Sequence, residues 1–226
     1  MIKLNIALFI VFIFTVISFA SDISGKAIIT GNEMEVRKAE EITILKGNSK
    51  AVTDGNIITA SKMIYAKKNS ILSAFGNVIL LSKMQNGERF EVHGNSAHYY
   101  INDKRGEFWG DNTVAKYFAQ NSTLPIILHA RKICIDRNLE TLNAYDDVTT
   151  ETSSGTVYSD NVIFNGKTLN AIFQKCKKRP TACVSYNDRK GFYEADEMIF
   201  NIADNNKKII MSGTVTGKIE IEDKTQ

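Results

Sequence analysis

At Ile58, Ala60, Met63 and Tyr65 small or apolar side chains follow one another in steps of two, three and two. Steps of two put side chains on one face of a strand. A three-residue step turns that face over unless an extra residue is absorbed as a β-bulge, which restores the phase and bends the strand. The spacing recurs as Ile29, Gly31, Met34, Val36, then as Val92, Gly94, Ala97, Tyr99, and as Leu128, Ala130, Ile133, Ile135. It continues as Val157, Ser159, Val162, Phe164 and as Tyr193, Ala195, Met198, Phe200, which makes six copies. Successive small residues lie 29, 34, 36, 29 and 36 positions apart, so insertions fall between strands and not within them. A recurring bent strand marks a repeat architecture, and this governs the reading of the rest of the chain.

A second pattern interleaves with the first: Gly47-Asn48 before Val52, Gly76-Asn77-Val78, Gly110-Asp111-Asn112 before Val114, and weaker forms at Asp146-Asp147-Val148 and Gly213-Thr214-Val215. Such residues between alternating apolar segments predict hairpin turns. No stretch after the N-terminus shows apolar residues at helical spacing between caps. Val215, Gly217, Ile219 and Ile221 alternate with charged residues and predict a terminal strand. The expectation is an all-β fold of a dozen to sixteen short antiparallel strands, apolar on one face, closing over one another as a sandwich or roll. A repeat array without caps presents unpaired strand edges at both ends. Ile29, Met34 and Val36 at one end, and Val215, Ile219 and Ile221 at the other, are therefore candidate docking edges for strand addition by a partner or by a second copy, end to end.

Residues 1–20 read as a secretory signal peptide: Lys3 is followed by the apolar run ALFIVFIFTVI and by Ser18-Phe19-Ala20, which predicts export with cleavage before Ser21. The alternative is an uncleaved membrane anchor. The chain carries 28 basic against 25 acidic residues, dispersed, which offers no basic face for nucleic acid. Cys176 and Cys183 flank the loop KKRPTA, where a cross-hairpin disulfide suits an oxidising compartment, and Cys134 reads as an unpaired strand cysteine. His93, His98 and His129 fall out of phase with the apolar sets and point outward. No nucleophile elbow, phosphate loop or metal-ligand spacing stands out, so neither an enzyme nor a cofactor or metal is expected. The run Lys175, Lys177, Lys178, Arg179 reads as a solvated hairpin loop, or as a site for anionic lipid phosphates.

The stretch ITILKGNSKAVTDGNIITASKMIYAKKNSILSAFGNVIL resembles the LptA/OstA-like family of periplasmic lipopolysaccharide-transport proteins. The resemblance lies in the order of parts: Gly47-Asn48 leading to Val52, a Gly55 turn, the set from Ile58 to Tyr65, and Gly76-Asn77-Val78. It runs on through Gly94-Asn95-Ser96-Ala97 and Tyr99, and in weaker form to Val215. It implies an OstA-like β-jelly roll over residues 21–226, open at both ends, with a more divergent half from about 150, and no enzymatic activity. It further implies binding of lipopolysaccharide through lipid A inside the roll. Partners would be an inner-membrane ABC transporter complex subunit and an outer-membrane assembly protein, with head-to-tail self-association. Carried onto this chain, candidate acyl-chain contacts are Ile58, Ala60, Met63, Tyr65, Val92, Ala97, Tyr99, Ile133, Ile135, Val162, Phe164, Met198 and Phe200. The alternatives are a membrane-anchored docking subunit of the same pathway and a structural β-repeat protein with a dry core.

Overall fold

Sixteen strands join in one antiparallel sheet in the computed structural model, which describes residues 27–53, 55–83, 87–119, 124–153, 155–186, 189–201 and 208–221. They are β1 (Ile28–Thr30), β2 (Glu33–Arg37), β3 (Ile42–Thr53), β4 (Asn56–Ala66), β5 (Ile71–Lys83), β6 (Arg89–Tyr100), β7 (Arg105–Phe118) and β8 (Ile126–Asp136). The remainder are β9 (Thr141–Thr152), β10 (Gly155–Asn165), β11 (Asn170–Gln174), β12 (Thr181–Tyr186), β13 (Arg189–Glu194), β14 (Glu197–Asn201), β15 (Lys208–Ser212) and β16 (Thr216–Ile221). The signal segment lies outside the described residues.

From β3 to β10 each strand pairs with the next, and every pairing shifts register near its middle. That shift is a crease. Along β4 the buried apolar residues are Ile58, Ala60, Met63 and Tyr65, so both halves of the strand face one interior. The strand is therefore folded at its waist, and the single sheet becomes two layers. One layer, A, contains residues 49–53, 56–60, 78–83, 89–94, 113–118, 126–130, 148–152 and 155–159. The other, B, contains 42–46, 62–66, 71–75, 96–100, 105–109, 132–136, 141–145 and 161–165. Eight strands are 11 to 14 residues long, because the bend lets one strand serve both layers where separate short strands were expected.

The crease uses two different steps. Even-numbered strands bend between a small residue and an apolar one three positions on, as from Ala60 to Met63, Ala97 after Gly94, and Ile133 after Ala130. Odd-numbered strands take a longer path between buried positions, from Leu45 to Ser49, Ala74 to Val78, Phe108 to Thr113 and Ala144 to Val148. The extra residues there are the Gly/Asn/Asp pairs. Gly47 and Asn48 have φ of +67° and +46°, Gly76 and Asn77 of +74° and +49°, and Asp146 and Asp147 of +65° and +53°. These motifs are thus mid-strand bulges, and the hairpin turns expected of them do not form. The chirality explains it: two consecutive left-handed residues kink a strand and increase its twist without reversing it when the ladder resumes beyond them.

The two steps interlock. Gly47, Gly76, Gly110 and Gly213 each lie against the side chain that follows the small residue of the neighbouring strand: Asn32, Ser61, Asn95 and Asp196 respectively. In β9, where aspartates replace glycine, Arg131 meets Asp147 as an ion pair at 2.8 Å instead. Asp146-Asp147 is thus part of the crease and not a free acidic turn. The true reversals are short, with left-handed Ser70, Lys104, Glu140 and Leu169 immediately before β5, β7, β9 and β11.

At both ends the bent strand is broken in two. β1 and β2 pair with the two halves of β3, and after β10 the layers continue separately. Layer B extends through β11, β14 and β15, while layer A extends through β12, β13 and β16. Residues 175–180 therefore cross from one layer to the other. No hairpin joins β11 to β12, since each pairs with a different half of β10. This removes the expected disulfide: Cys176 is a free, exposed thiol in the crossover, and Cys183 is a free, partly buried thiol on β12. The sheet does not close, and β1, β2, β15 and β16 are each paired on one side only. The result is an all-β, antiparallel roll open at both ends.

Two predictions follow from the crease. Gly76→Ala places a Cβ at φ +74° and 2.9 Å from Ser61 Oγ, whereas Gly55→Ala at φ +78° meets nothing within 4 Å. Chemical denaturation is expected to show a larger loss for Gly76→Ala, with the backbone strain of ~1 kcal/mol common to both. Asp196 has its carboxyl held below the usual range by the Thr214 backbone N–H, with Arg179 and Lys175 adding to the effect. A lowered folded-state value stabilises above the unfolded pKa of about 3.9 and is lost as pH falls through the folded value. Acid titration of the wild type should therefore show a loss of protection around β13–β16 below about pH 4 that is diminished in Asp196→Asn.

Candidate functional site

The interior between the layers is almost entirely hydrocarbon. Ile58, Ala60, Met63, Tyr65, Val92, Ala97, Tyr99, Ile133, Ile135, Val162 and Met198 are all buried there, and Phe164 and Phe200 are partly buried against them. Packing differs along the roll. In the N-terminal half Leu45, Ile58, Met63, Leu72 and Leu80 fill the space between the layers as core. Tyr65 there has its hydroxyl pushed upward in pKa by burial.

Between β6 and β14 the packing is interrupted. A crevice of about 40 Å³ lies between Phe90, Tyr117, Leu128 and Val157 of layer A and Leu142, Phe164, Phe173 and Phe200 of layer B. Tyr117 and Phe164 meet across it with ring centroids 5.5 Å apart, and Phe173 and Phe200 meet edge-on at 5.4 Å. Its volume is near that of one water in the liquid, so a hydrocarbon chain enters only if the layers part. Of the acyl-contact candidates, Val162, Phe164 and Phe200 line this crevice, and the others pack as core beside or away from it. Phe90, Tyr117, Leu142 and Phe173 were missed. Phe90 is two residues before Val92 and continues its alternation; Tyr117, Leu142 and Phe173 sit on odd-numbered strands, outside the six sets.

Opposite the crease the free margins of the two layers face each other along a seam. A second cavity of about 380 Å³ opens there and shares Phe90, Tyr117, Leu142 and Phe164 with the crevice. Its polar lining includes Ser82, Glu88, Asp136, Arg137 and Glu140. Arg137, in the turn after β8, spans the seam: its Nη1 donates to Asn56 Oδ1 at 2.8 Å and to the Ser82 hydroxyl of layer A. Asn56 Nδ2 in turn donates to the Tyr99 hydroxyl of layer B at 3.2 Å. Asn56 and Ser82 are 1% and 2% exposed, so this polar chain is a buried clasp over the N-terminal part of the seam, next to the wider cavity.

The edge candidates divide. Ile29 is wholly buried, while Met34, Val36, Val215 and Ile219 are exposed on the terminal strands or, for Val215, in the crossover before β16. Ile221 ends β16 opposite Arg189. Met34 and Val36 are thus exposed, unlike the corresponding residues of the other five sets, and every residue of β2 is exposed. His93 and His98 are partly exposed and His129 is exposed, on the outer faces. Among the described residues no three His, Cys, Asp or Glu side chains gather as a metal ion requires. The basic run is a crossover between layers and not a hairpin loop: Arg179 Nε lies 3.0 Å from Asp196, Lys175 pairs with the same carboxylate, Asp160 accepts the Lys177 and Lys178 backbone N–H groups, and the side chains of Lys177 and Lys178 are exposed.

No protein-family model matches the chain, and no curated protein sequence does. Among solved structures, the chain is similar to LptH of Pseudomonas aeruginosa, the LptA-homologous periplasmic component of the conserved lipopolysaccharide transport device. That similarity spans 74% of this chain and 99% of the other, at 9% identity and a TM-score of 0.38.

Proposed function

We propose that the roll carries lipopolysaccharide, holding acyl chains of lipid A between its two layers and passing them along. The supporting observation is the apolar crevice between unclosed layers, continuous with a polar-lined seam: an amphiphile fits with its chains inside and its remainder outside. Apolar burial supplies the holding force, at about 0.8 kcal/mol per CH₂ taken from water. Transfer between neighbouring rolls is then near isoenergetic, and direction comes from an energised partner, an inner-membrane ABC transporter complex. The four one-sided strands offer main-chain pairing to that complex, to an outer-membrane assembly protein, or to a second copy. In this reading the chain works in the periplasm and does no catalysis.

Mass spectrometry of the protein purified from a lipopolysaccharide-producing host is expected to show co-eluting lipid A; a dry protein would favour a structural β-repeat role. Phe164→Glu places a charge in the crevice at a partly buried position, so lipid crosslinking should fall severalfold while the far-UV spectrum stays unchanged. Met63→Glu, in packed core, should instead prevent folding, costing several kcal/mol. Equal crosslinking by wild type and Phe164→Glu contradicts the crevice as the lipid path.

A further inference from the structure

We infer that the crevice takes an acyl chain bearing a hydroxyl close to its head, and that Thr150 selects for it. This rests on the reading that chains lie between the layers, and it names the kind of chain. Thr150 lines the crevice from layer A and is only 5% exposed; its hydroxyl oxygen is out of reach of water and has no hydrogen-bond partner. Its surroundings offer none. On the flanking strands it lies opposite Leu128 and Val157, and across the crevice stand Leu142, Phe164 and Phe173. Thr152, which lines the same crevice, is served locally and donates to the Gly155 carbonyl at 3.0 Å. Buried Thr113 likewise has the Gly110 and Arg131 carbonyls within 3.3 Å of its hydroxyl. Ser49 is unsatisfied too, at the crease of the packed half, but it borders neither the crevice nor the seam cavity. The large majority of buried hydroxyls in proteins are satisfied, and one left over in hydrocarbon destabilises the fold that holds it. Thr150 is thus a polar atom whose partner arrives with a ligand.

Its position along the strand fixes where on the chain that partner lies. β9 ends at Thr152 on the seam margin of layer A, and Thr150 is two residues further in on the same face, about 7 Å. A head group outside the seam keeps its own oxygens at the margin, so the oxygen that reaches Thr150 is carried on the chain, a short way in. A hydroxyl suits the position because it both donates and accepts, as threonine does, and the pair forms in either direction. An unsubstituted chain leaves Thr150 facing hydrocarbon. A hydroxyl at the far end of the chain is carried past Thr150 and buried without this partner.

Titration calorimetry of the whole exported chain with dodecanoate, 3-hydroxydodecanoate and 12-hydroxydodecanoate, each below its micelle concentration, separates these cases. The three share head and chain length, so head-group effects cancel. Wild type should bind 3-hydroxydodecanoate about fivefold tighter than dodecanoate, with 12-hydroxydodecanoate the weakest. Thr150→Val keeps the β-branched shape without the hydroxyl and should abolish or reverse the preference between the first two probes, whereas Thr150→Ser should keep it. A melting temperature of Thr150→Val at or above that of the wild type separates loss of preference from loss of fold. Equal affinity of the wild type for dodecanoate and 3-hydroxydodecanoate, or a preference that survives in Thr150→Val, overturns the assignment to Thr150 while leaving the crevice as a chain site. Binding of none of the three removes the crevice as a chain site and this proposal with it.

Discussion

The crease carries the architecture. A strand of 11 to 14 residues buries one face along one sheet. Here a three-residue step on one strand is matched by a step of four or five on its neighbour, so both halves of every strand turn the same face inward. The sheet then packs against itself, and one run of hairpins supplies both layers of a core. Left-handed Gly47, Gly76 and their partners Asn32 and Ser61 hold that bend from outside. Without the crease, a flat antiparallel sheet of this composition would expose the row that Ile58, Leu80 and Val92 form.

A sheet folded along one line has three openings: two ends and the seam opposite the fold. Each is treated differently. The ends stay open because the last strand on each layer pairs on one side only. The seam is clasped by Arg137, Asn56, Ser82 and Tyr99 beside the tightly packed half, and widens to a cavity where aromatic rings replace aliphatic packing. Tilted aromatic pairs such as Tyr117 with Phe164 cover area with few interlocking methyl groups. The two halves of the roll are thus distinguished by side-chain type within one repeat.

Much of this was legible in residue spacing. The set Ile58, Ala60, Met63, Tyr65 gives away the bend, since period two cannot survive a step of three without a bulge. The all-β class and the terminal strand at Ile219 were readable from alternation. What spacing concealed was the meaning of Gly76-Asn77, for the same dipeptide serves a two-residue hairpin and a mid-strand bulge; only the pairing beyond it decides. The Cys176 and Cys183 pairing failed for a related reason, because a loop between two apolar runs looks alike whether it reverses within a layer or crosses between layers. The crevice was half visible: Val162, Phe164 and Phe200 belong to the repeated sets, whereas Tyr117 and Phe173 lie on the intervening strands. Arg137 carried no signal, since its partners Asn56 and Ser82 are 81 and 55 residues away.

The proposed function requires the layers to part between β6 and β14 to admit a chain while the N-terminal half stays closed. Spin labels at Lys116 on layer A and Ile163 on layer B, both on outer faces, report that separation directly, with Lys50 and Ser73 as the pair in the tight half. Pulsed dipolar spectroscopy with saturating lipid A should lengthen the distance between 116 and 163 and leave that between 50 and 73 unchanged. Bound lipid with neither distance altered would contradict the account.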